Sequence, residues 1–243
     1  PGRIMTDPLM TYAYAGDASQ YRLVPAIVVI VNSEDEVRAV IAAARAEGLP
    51  LTFRAAGTSL SGQSNSDGVL AVLGDGFKKM QILEEGERIV LGPAVIVANA
   101  NRALKKFDKK LGPDPASQAT CKIGGVVNNN SSGMCCGVAY NTYHTLHRLR
   151  VMLVDGTVLD SGDPASVAAF TQPMAGALKR ADGASVGRLL DTVFATSPAW
   201  PIWADTSAPS ACTASVRRRR SGTSSGRITM VLRCTRPPSE TAQ

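Results

Sequence analysis

No apolar run in this chain of 243 residues approaches the length needed to cross a bilayer. The strongest candidate, AIVVIV (Ala26 to Val31), is six residues long, against roughly 20 for a membrane-spanning helix. No basic-then-apolar leader opens the chain, so secretion is not expected. Cysteine is scarce and unevenly placed: Cys121, Cys135, Cys136, Cys212 and Cys234 are an odd set without regular spacing. That argues against a disulfide scaffold and suits a reducing, cytoplasmic compartment. Histidine occurs twice, as His144 and His147. Two histidines three residues apart could hold a metal, but no third ligand stands near them, so ordinary hydrogen-bonded side chains are expected. Two nucleotide-binding signatures are also missing: there is no G-x-G-x-x-G, and no Gly-Lys-Ser/Thr that would end a Walker loop.

What is present is a globular composition, 44% apolar with mean hydropathy +0.02, long enough for one large domain or two small ones. The net charge of +6 is unevenly distributed. Residues 1–170 carry 16 Lys+Arg and 16 Asp+Glu, whereas residues 171–243 carry 10 and 4. Nine of those ten are Arg.

The first 165 residues alternate cleanly. AIVVIV is a β-branched, buried-strand candidate. SEDE (Ser33 to Glu36) is a capping box, and Val37, Val40, Ile41 and Ala44 follow at helical spacing until Gly48-Leu49-Pro50 ends the helix. LTF follows as a strand, so Ala26 to Phe53 reads as strand–helix–strand. VLAVL (Val69 to Leu73) and RIVLG (Arg88 to Gly92) are further strands, with EEGE a turn between them. AVIVANANRALKKF reads as an amphipathic helix whose Lys105, Lys106, Lys109 and Lys110 form a solvated face. LRVMLVDGTVLDSG is a hairpin around Asp155-Gly156. From Ala195 onward no period is visible, and the Ser/Thr/Ala/Pro/Arg-rich composition reads as disordered. It is also what a GC-rich gene encodes when read out of frame, so a frameshift or truncation near residues 170–175 is expected. The RRRR run (Arg217 to Arg220) lies in that stretch and is weak support for nucleic-acid or lipid binding.

Two segments carry chemistry. FRAAGTSLSGQS (Phe53 to Ser64) follows the second strand of the βαβ unit, where ligands of open α/β sheets bind. Ala55, Ala56 and Gly57 let a backbone approach closely, Thr58, Ser59 and Ser61 add hydroxyls, and successive amides suit phosphate oxygens. A plain polar turn is the alternative. The second segment, LGPDPASQATCKIGGVVNNNSSGMCCGVAYN (Leu111 to Asn141), places Gly124-Gly125 where a backbone can lie against a flat ligand. Asn128, Asn129 and Asn130 supply amide groups.

Together the two segments resemble the FAD-binding domain of the vanillyl-alcohol oxidase superfamily (the PCMH-type fold), above all its FAD-linked D-lactate and D-2-hydroxyglutarate dehydrogenases and glycolate oxidase subunits. The resemblance covers about residues 4–165, including YAYAGDASQYRLVP. NNSSGMCCG followed by NTYHTL resembles a bacterial subgroup with a fused iron–sulfur region. The resemblance implies an α+β fold: a small βαβ subdomain and a second, mixed-sheet subdomain, incomplete at the C-terminus. The expected division is a lead-in over 1–20, the FAD-binding domain over 21–165 and an irregular tail over 166–243. It further implies that Arg54, Ala55, Ala56, Gly57, Thr58, Ser59, Leu60 and Ser61 wrap the FAD pyrophosphate, with Arg54 supplying the one guanidinium. Pro113 and Asp114 would approach the flavin. Thr120, Ile123, Gly124, Gly125, Asn129, Asn130 and Gly133 would line the cofactor with backbone and amide groups. Asn128 departs from the pattern, standing where a small residue such as Ala is expected.

No histidine lies in the pyrophosphate loop, so noncovalent FAD is expected. Cys135 and Cys136 are expected to be buried packing thiols, since adjacent cysteines make a strained bridge. The family's closing segment (GSEGTLG-like) and its substrate cap, with histidines, a metal site and acidic residues, are not found. The expectation is therefore the front half of an enzyme that oxidises a D-2-hydroxy acid, D-lactate first and D-2-hydroxyglutarate second, with a catalytically inactive FAD-binding remnant as the alternative. Electrons would pass to a cytochrome, quinone or iron–sulfur acceptor. The chain would carry no catalytic residue, metal or nucleic-acid partner, and would be cytoplasmic or peripheral to the inner membrane.

Overall fold

A computed structural model describes residues 2–170 and 230–235. Residues 2–163 and 230–235 belong to one compact unit, which carries every strand and helix named below, and residues 164–170 belong to another. RRRR, Cys212 and the expected frameshift junction lie outside the described residues.

The βαβ signal folds as its caps dictate. After a short helix α1 (Pro8–Ala13), strand β2 (Ile27–Val31) leads into helix α2 (Glu34–Ala46) and then β3 (Leu51–Arg54). Ser33 Oγ accepts the Glu36 amide at 3.2 Å, and Glu36 reaches back to the Asn32 amide at 2.7 Å. At the far end Gly48 adopts φ +63, while Leu49 N–H donates to Ala44 and Gly48 N–H to Arg45, the two bonds of a Schellman stop. Val37, Ile41 and Ala44 are buried. The two parallel strands are not neighbours, however. Strand β4 (Val69–Leu73) inserts between them, and a short β1 (Ile4–Met5) pairs antiparallel on the outside, giving the order β1-β2-β4-β3. Alternation along β2 sends Val31 into a core with Val37, Ile41 and Leu73, and Val28 into one with Met5 and Leu70.

The second sheet has the order β5-β6-β10-β8-β9, from β5 (Met80–Leu83), β6 (Arg88–Leu91), β8 (Leu146–Met152), β9 (Val158–Asp160) and β10 (Met230–Thr235). A two-residue β7 (Lys110–Leu111) pairs with β10. Among the described residues every pairing in this sheet is antiparallel, where a mixed sheet is the expectation from the sequence. The reason is local: β5–β6 and β8–β9 are hairpins closed by tight turns, the latter with Gly156 at φ +84 and Asp155 accepting from the Thr157 amide. Helix α3 (Val97–Leu104) and helix α4 (Ile123–Asn128) pack on this sheet around Ile89, Leu91, Val97, Leu104, Leu111, Ile123, Val126 and Leu232. The expected lysine face holds for Lys105 and Lys106, which are exposed. Lys109 is largely covered and pairs with Glu87 at 2.6 Å.

The expectation of an irregular tail needs correcting at one place. β10 is the central strand of the second sheet, bonded to β6 on one side and β8 on the other, with Leu232 fully buried. Burial pushes the neighbouring Cys234 thiol up to about 12. MVLRCT becomes a strand because two edges wait for it, not through any periodicity of its own.

Candidate functional site

Both segments singled out in the sequence lie at the carboxyl ends of the parallel strands. The first leaves β3 at Arg54. The second enters α4 beside the end of β4, where Lys122 Nζ donates to the Leu73 carbonyl at 3.2 Å. They touch each other: Gln63 Nε2 donates to Asn129 Oδ1 at 2.7 Å, and a methyl built on Gly125 would sit 3.9 Å from Ala55 Cβ.

The loop is built as an amide cradle. Gly57 and Gly62 take φ of +68 and +75, a conformation open to glycine at no steric cost. Among the described residues, the N–H groups of Ala56, Gly57, Thr58, Ser59 and Leu60 donate to no protein acceptor, and Ser61 N–H donates only to Ser59 Oγ. Residues 55–59 are half-buried rather than extended into solvent. A run of unengaged amides held in a half-covered turn is the donor set a pyrophosphate needs.

Arg54 departs from its expected role. The residue is 6% exposed. Its guanidinium donates to Ser64 O at 2.8 and 3.0 Å, to Tyr14 O at 2.9 Å and to Asn65 Oδ1 at 2.9 Å. Burial lowers its pKa, with the Asp17 carboxylate pulling the other way. The side chain ties the loop's base together from beneath and is not turned towards a ligand. Asp17 is its counter-charge. Burial pushes the Asp17 carboxyl up, but bonds from Ser19 and Ser64 outweigh that and hold it below the ordinary carboxylate value.

The second segment divides into donors that are free and groups already engaged. Ile123 is fully buried in the core, its amide donates to Val95 O, and the Gly124 amide donates to Pro93 O. Neither amide can serve a cofactor as expected. Gly124 is closely packed instead, since a methyl there would press on Pro93 at 3.0 Å. Thr120 is exposed, its hydroxyl turned back to Ser117 O. Asn130 sits at φ +46 with Oδ1 accepting the Tyr143 amide, so it fixes the following turn. Asn128 is exposed, which explains how a larger residue is accommodated there. Pro113 is buried. Asp114 accepts the amides of Cys135 and Cys136, both at 3.1 Å. Burial raises its pKa, but those bonds prevail and hold it low. Gly133 is needed for that contact, as a methyl would stand 1.9 Å from the Asp114 carbonyl oxygen.

Cys136 is buried, its thiol directed to Gly133 O at 3.3 Å, but Cys135 is exposed and so is not the packing thiol expected. His144 Nδ1 lies 2.6 Å from Val138 O and His147 Nε2 lies 2.9 Å from Arg88, consistent with hydrogen-bonded roles. Sequence reading passed over Asp17, Tyr21, Gln63, Ser64 and Asn65. The Asp-x-Ser of GDAS was the available signal, because it forms an Asx turn.

A family model described as an FAD binding domain matches residues 25–162. The chain belongs to this FAD-binding family. The free amides of residues 56–60 and the close approach of Ala55 to Gly125 fit that cofactor. The chain is 33% identical over 149 residues to the glycolate oxidase subunit GlcD of Escherichia coli K12, covering 60% of this chain and 30% of that protein. It is 27% identical over 185 residues to D-2-hydroxyglutarate dehydrogenase of the same strain, covering 73% and 17%. It therefore spans less than a third of these relatives' length. Among solved structures, 6-hydroxy-D-nicotine oxidase from Arthrobacter nicotinovorans superposes with TM-score 0.57 at 17% identity, over 65% of this chain and 35% of that one. Physcomitrella patens BBE-like 1 does so with TM-score 0.58 at 18% identity, again over 65% and 35%. At such identity these two support the fold of the FAD-binding domain alone. No helix among the described residues is long and apolar enough to cross a membrane.

Proposed function

We propose that this chain is the FAD-holding part of an oxidoreductase that acts on a D-2-hydroxy acid, and that it holds FAD noncovalently. The observation that carries the reading is the run of unengaged amides from Ala56 to Leu60, with one positive-φ glycine inside it, Gly57, and another just past it, Gly62. A pyrophosphate is matched by many neutral donors, and the cradle supplies them without a cation. Ala56 to Ser61 hold the pyrophosphate from this side. Gly125 and Asn129 face the same space from the second segment, with Asn129 aligned by Gln63. Asp114 orients the turn at residues 133–136 and does not touch the substrate. FAD, when bound, supplies a two-electron acceptor for oxidation at the hydroxyl carbon.

The substrate class is supported by two relatives named for glycolate and D-2-hydroxyglutarate, both 2-hydroxy acids. D-lactate and D-2-hydroxyglutarate are the candidates to assay. The chain spans less than a third of those relatives, and the groups that choose between the two acids are assigned to a part it does not cover. The test is to load the purified chain with FAD, precipitate it with acid and assay dye reduction with each acid. Flavin released to the supernatant, without dye reduction by this chain alone, is expected. Flavin retained in the pellet would overturn noncovalent binding. Dye reduction would overturn the assignment of catalysis to the missing part.

A further inference from the structure

The segment before residue 25 lies outside the matched family region, yet it holds both ends of the cradle. Ala18 N–H donates to Gly57 O at 2.9 Å, and Arg54 reaches the Tyr14 carbonyl at 2.9 Å. At the far end Ser64 Oγ donates to Asp17 Oδ2 at 2.9 Å and Asn65 Nδ2 to Tyr21 O at 3.1 Å. The ring of Tyr21 lies so close to Gly62 that a methyl there would come within 2.8 Å of it. The segment is itself closed. Leu23 N–H donates to Ala15 O at 3.0 Å, Gly16 bridges Arg22, and Asp17 Oδ1 accepts the Ser19 amide at 2.9 Å.

We propose that residues 14–22 form a clamp that sets the shape of the cofactor loop, with Asp17 as its central positioning residue. The cofactor half of this rests on the functional reading above. Five consecutive amides that find no acceptor among the described residues have no ladder or helix to fix them. Ser59 Oγ donates to Gln63 within the loop and Gln63 reaches Asn129, but both ends of the loop are joined to residues 14–22. Asp17 couples the ends directly: its Oδ2 takes the Ser64 hydroxyl, and its Cβ lies beside Gly57, whose added methyl would stand 3.7 Å from it. Its negative charge favours the charged Arg54 guanidinium, whose hydrogen bonds reach Tyr14 O and Ser64 O. A clamp of this kind aligns the donors before the ligand arrives, so that ordering the loop does not weaken binding.

The experiment uses the full chain and its Asp17→Ala and Asp17→Asn variants. Backbone 15N order parameters of residues 56–62 are measured without ligand, and affinities are measured for FAD, ADP and riboflavin. In Asp17→Ala the order parameters are expected to fall from about 0.85 to below about 0.6 at residues 56–62, while those of β2 and β4 stay unchanged. FAD and ADP, which carry the pyrophosphate, are expected to weaken together by about tenfold, and riboflavin not at all. Asp17→Asn should restore both, because its carbonyl accepts from Ser19 and its amide can donate to the Ser64 hydroxyl. An Asp17→Ala loop as rigid as the wild type would overturn the clamp. So would loosening that extends equally through β2 and β4, or equal losses for riboflavin and FAD. A wild-type chain that binds no FAD would overturn the functional reading instead, and the order parameters would still decide the clamp.

Discussion

Replacing Arg54 with Met isolates what the guanidinium does. The side chain is 6% exposed and serves three acceptors, the carbonyls of Tyr14 and Ser64 and Oδ1 of Asn65. A buried acceptor left without its donor costs roughly 1–3 kcal/mol. Three such losses are partly offset by no longer desolvating a cation and by the packing of the Met stem. A net loss of about 3 kcal/mol is expected, a large share of the roughly 5–15 kcal/mol that holds a domain together. For a domain of this size it lowers the melting temperature by about 6–12 °C. Arg54→Lys keeps the charge but cannot span acceptors on both sides of the loop, so about half the loss is expected. The assay is a thermal melt without any flavin. If Arg54 were a direct phosphate ligand, the melt of the free protein would hardly change and only FAD affinity would fall. An unchanged melting temperature in Arg54→Met, with FAD binding lost, would refute the account of Arg54 as an internal tie.

Gly133→Ala places a methyl 1.9 Å from the Asp114 carbonyl oxygen, and should cost about 1–3 kcal/mol and make residues 131–138 susceptible to limited proteolysis, mapped by mass spectrometry. Leu232→Ala opens a cavity at a fully buried site in the second sheet and should cost about 2–5 kcal/mol in a denaturant titration. A silent result would show that β10 does not belong at the centre of that sheet. Asp17 and Asp114 both titrate below their ordinary value. Their contribution is therefore complete above the unfolded-state pKa and is lost as pH falls through the depressed folded value. Stability and FAD affinity should hold from neutrality to about pH 4 and fall below it, as followed by flavin fluorescence. In Asp17→Asn that acid loss should shrink.

Much of the first sheet was legible because its signals are local. Ser33 and Glu36 mark the start of α2, Gly48 marks its end, and the apolar residues between keep helical spacing. The hairpin at Asp155-Gly156 was legible for the same reason. The neighbours of β2 were not, since its pattern says that it is buried but not that β4 lies between it and β3. β10 was the hardest: six residues with no period of their own acquire a structure only from β6 and β8, more than 75 residues away in sequence. In the site, the glycines and small residues mark the loop whose amides lie unengaged among the described residues. The direction of Arg54 could not be read, because nothing beside it in sequence shows that the carbonyls of Tyr14 and Ser64 surround it. Ile123 and Gly124 were misread for a related reason. A motif shows which backbone is close-packed, but not which amides Pro93 and Val95 have already engaged.

The most direct test of the central claim is an equilibrium titration of the purified chain with FAD, followed by competition with ADP. The account predicts one FAD per chain, displaced by ADP because the cradle recognises the pyrophosphate, with Gly57→Val abolishing both by refusing the positive φ at +68. Flavin binding that ADP does not displace and Gly57→Val does not weaken would contradict it.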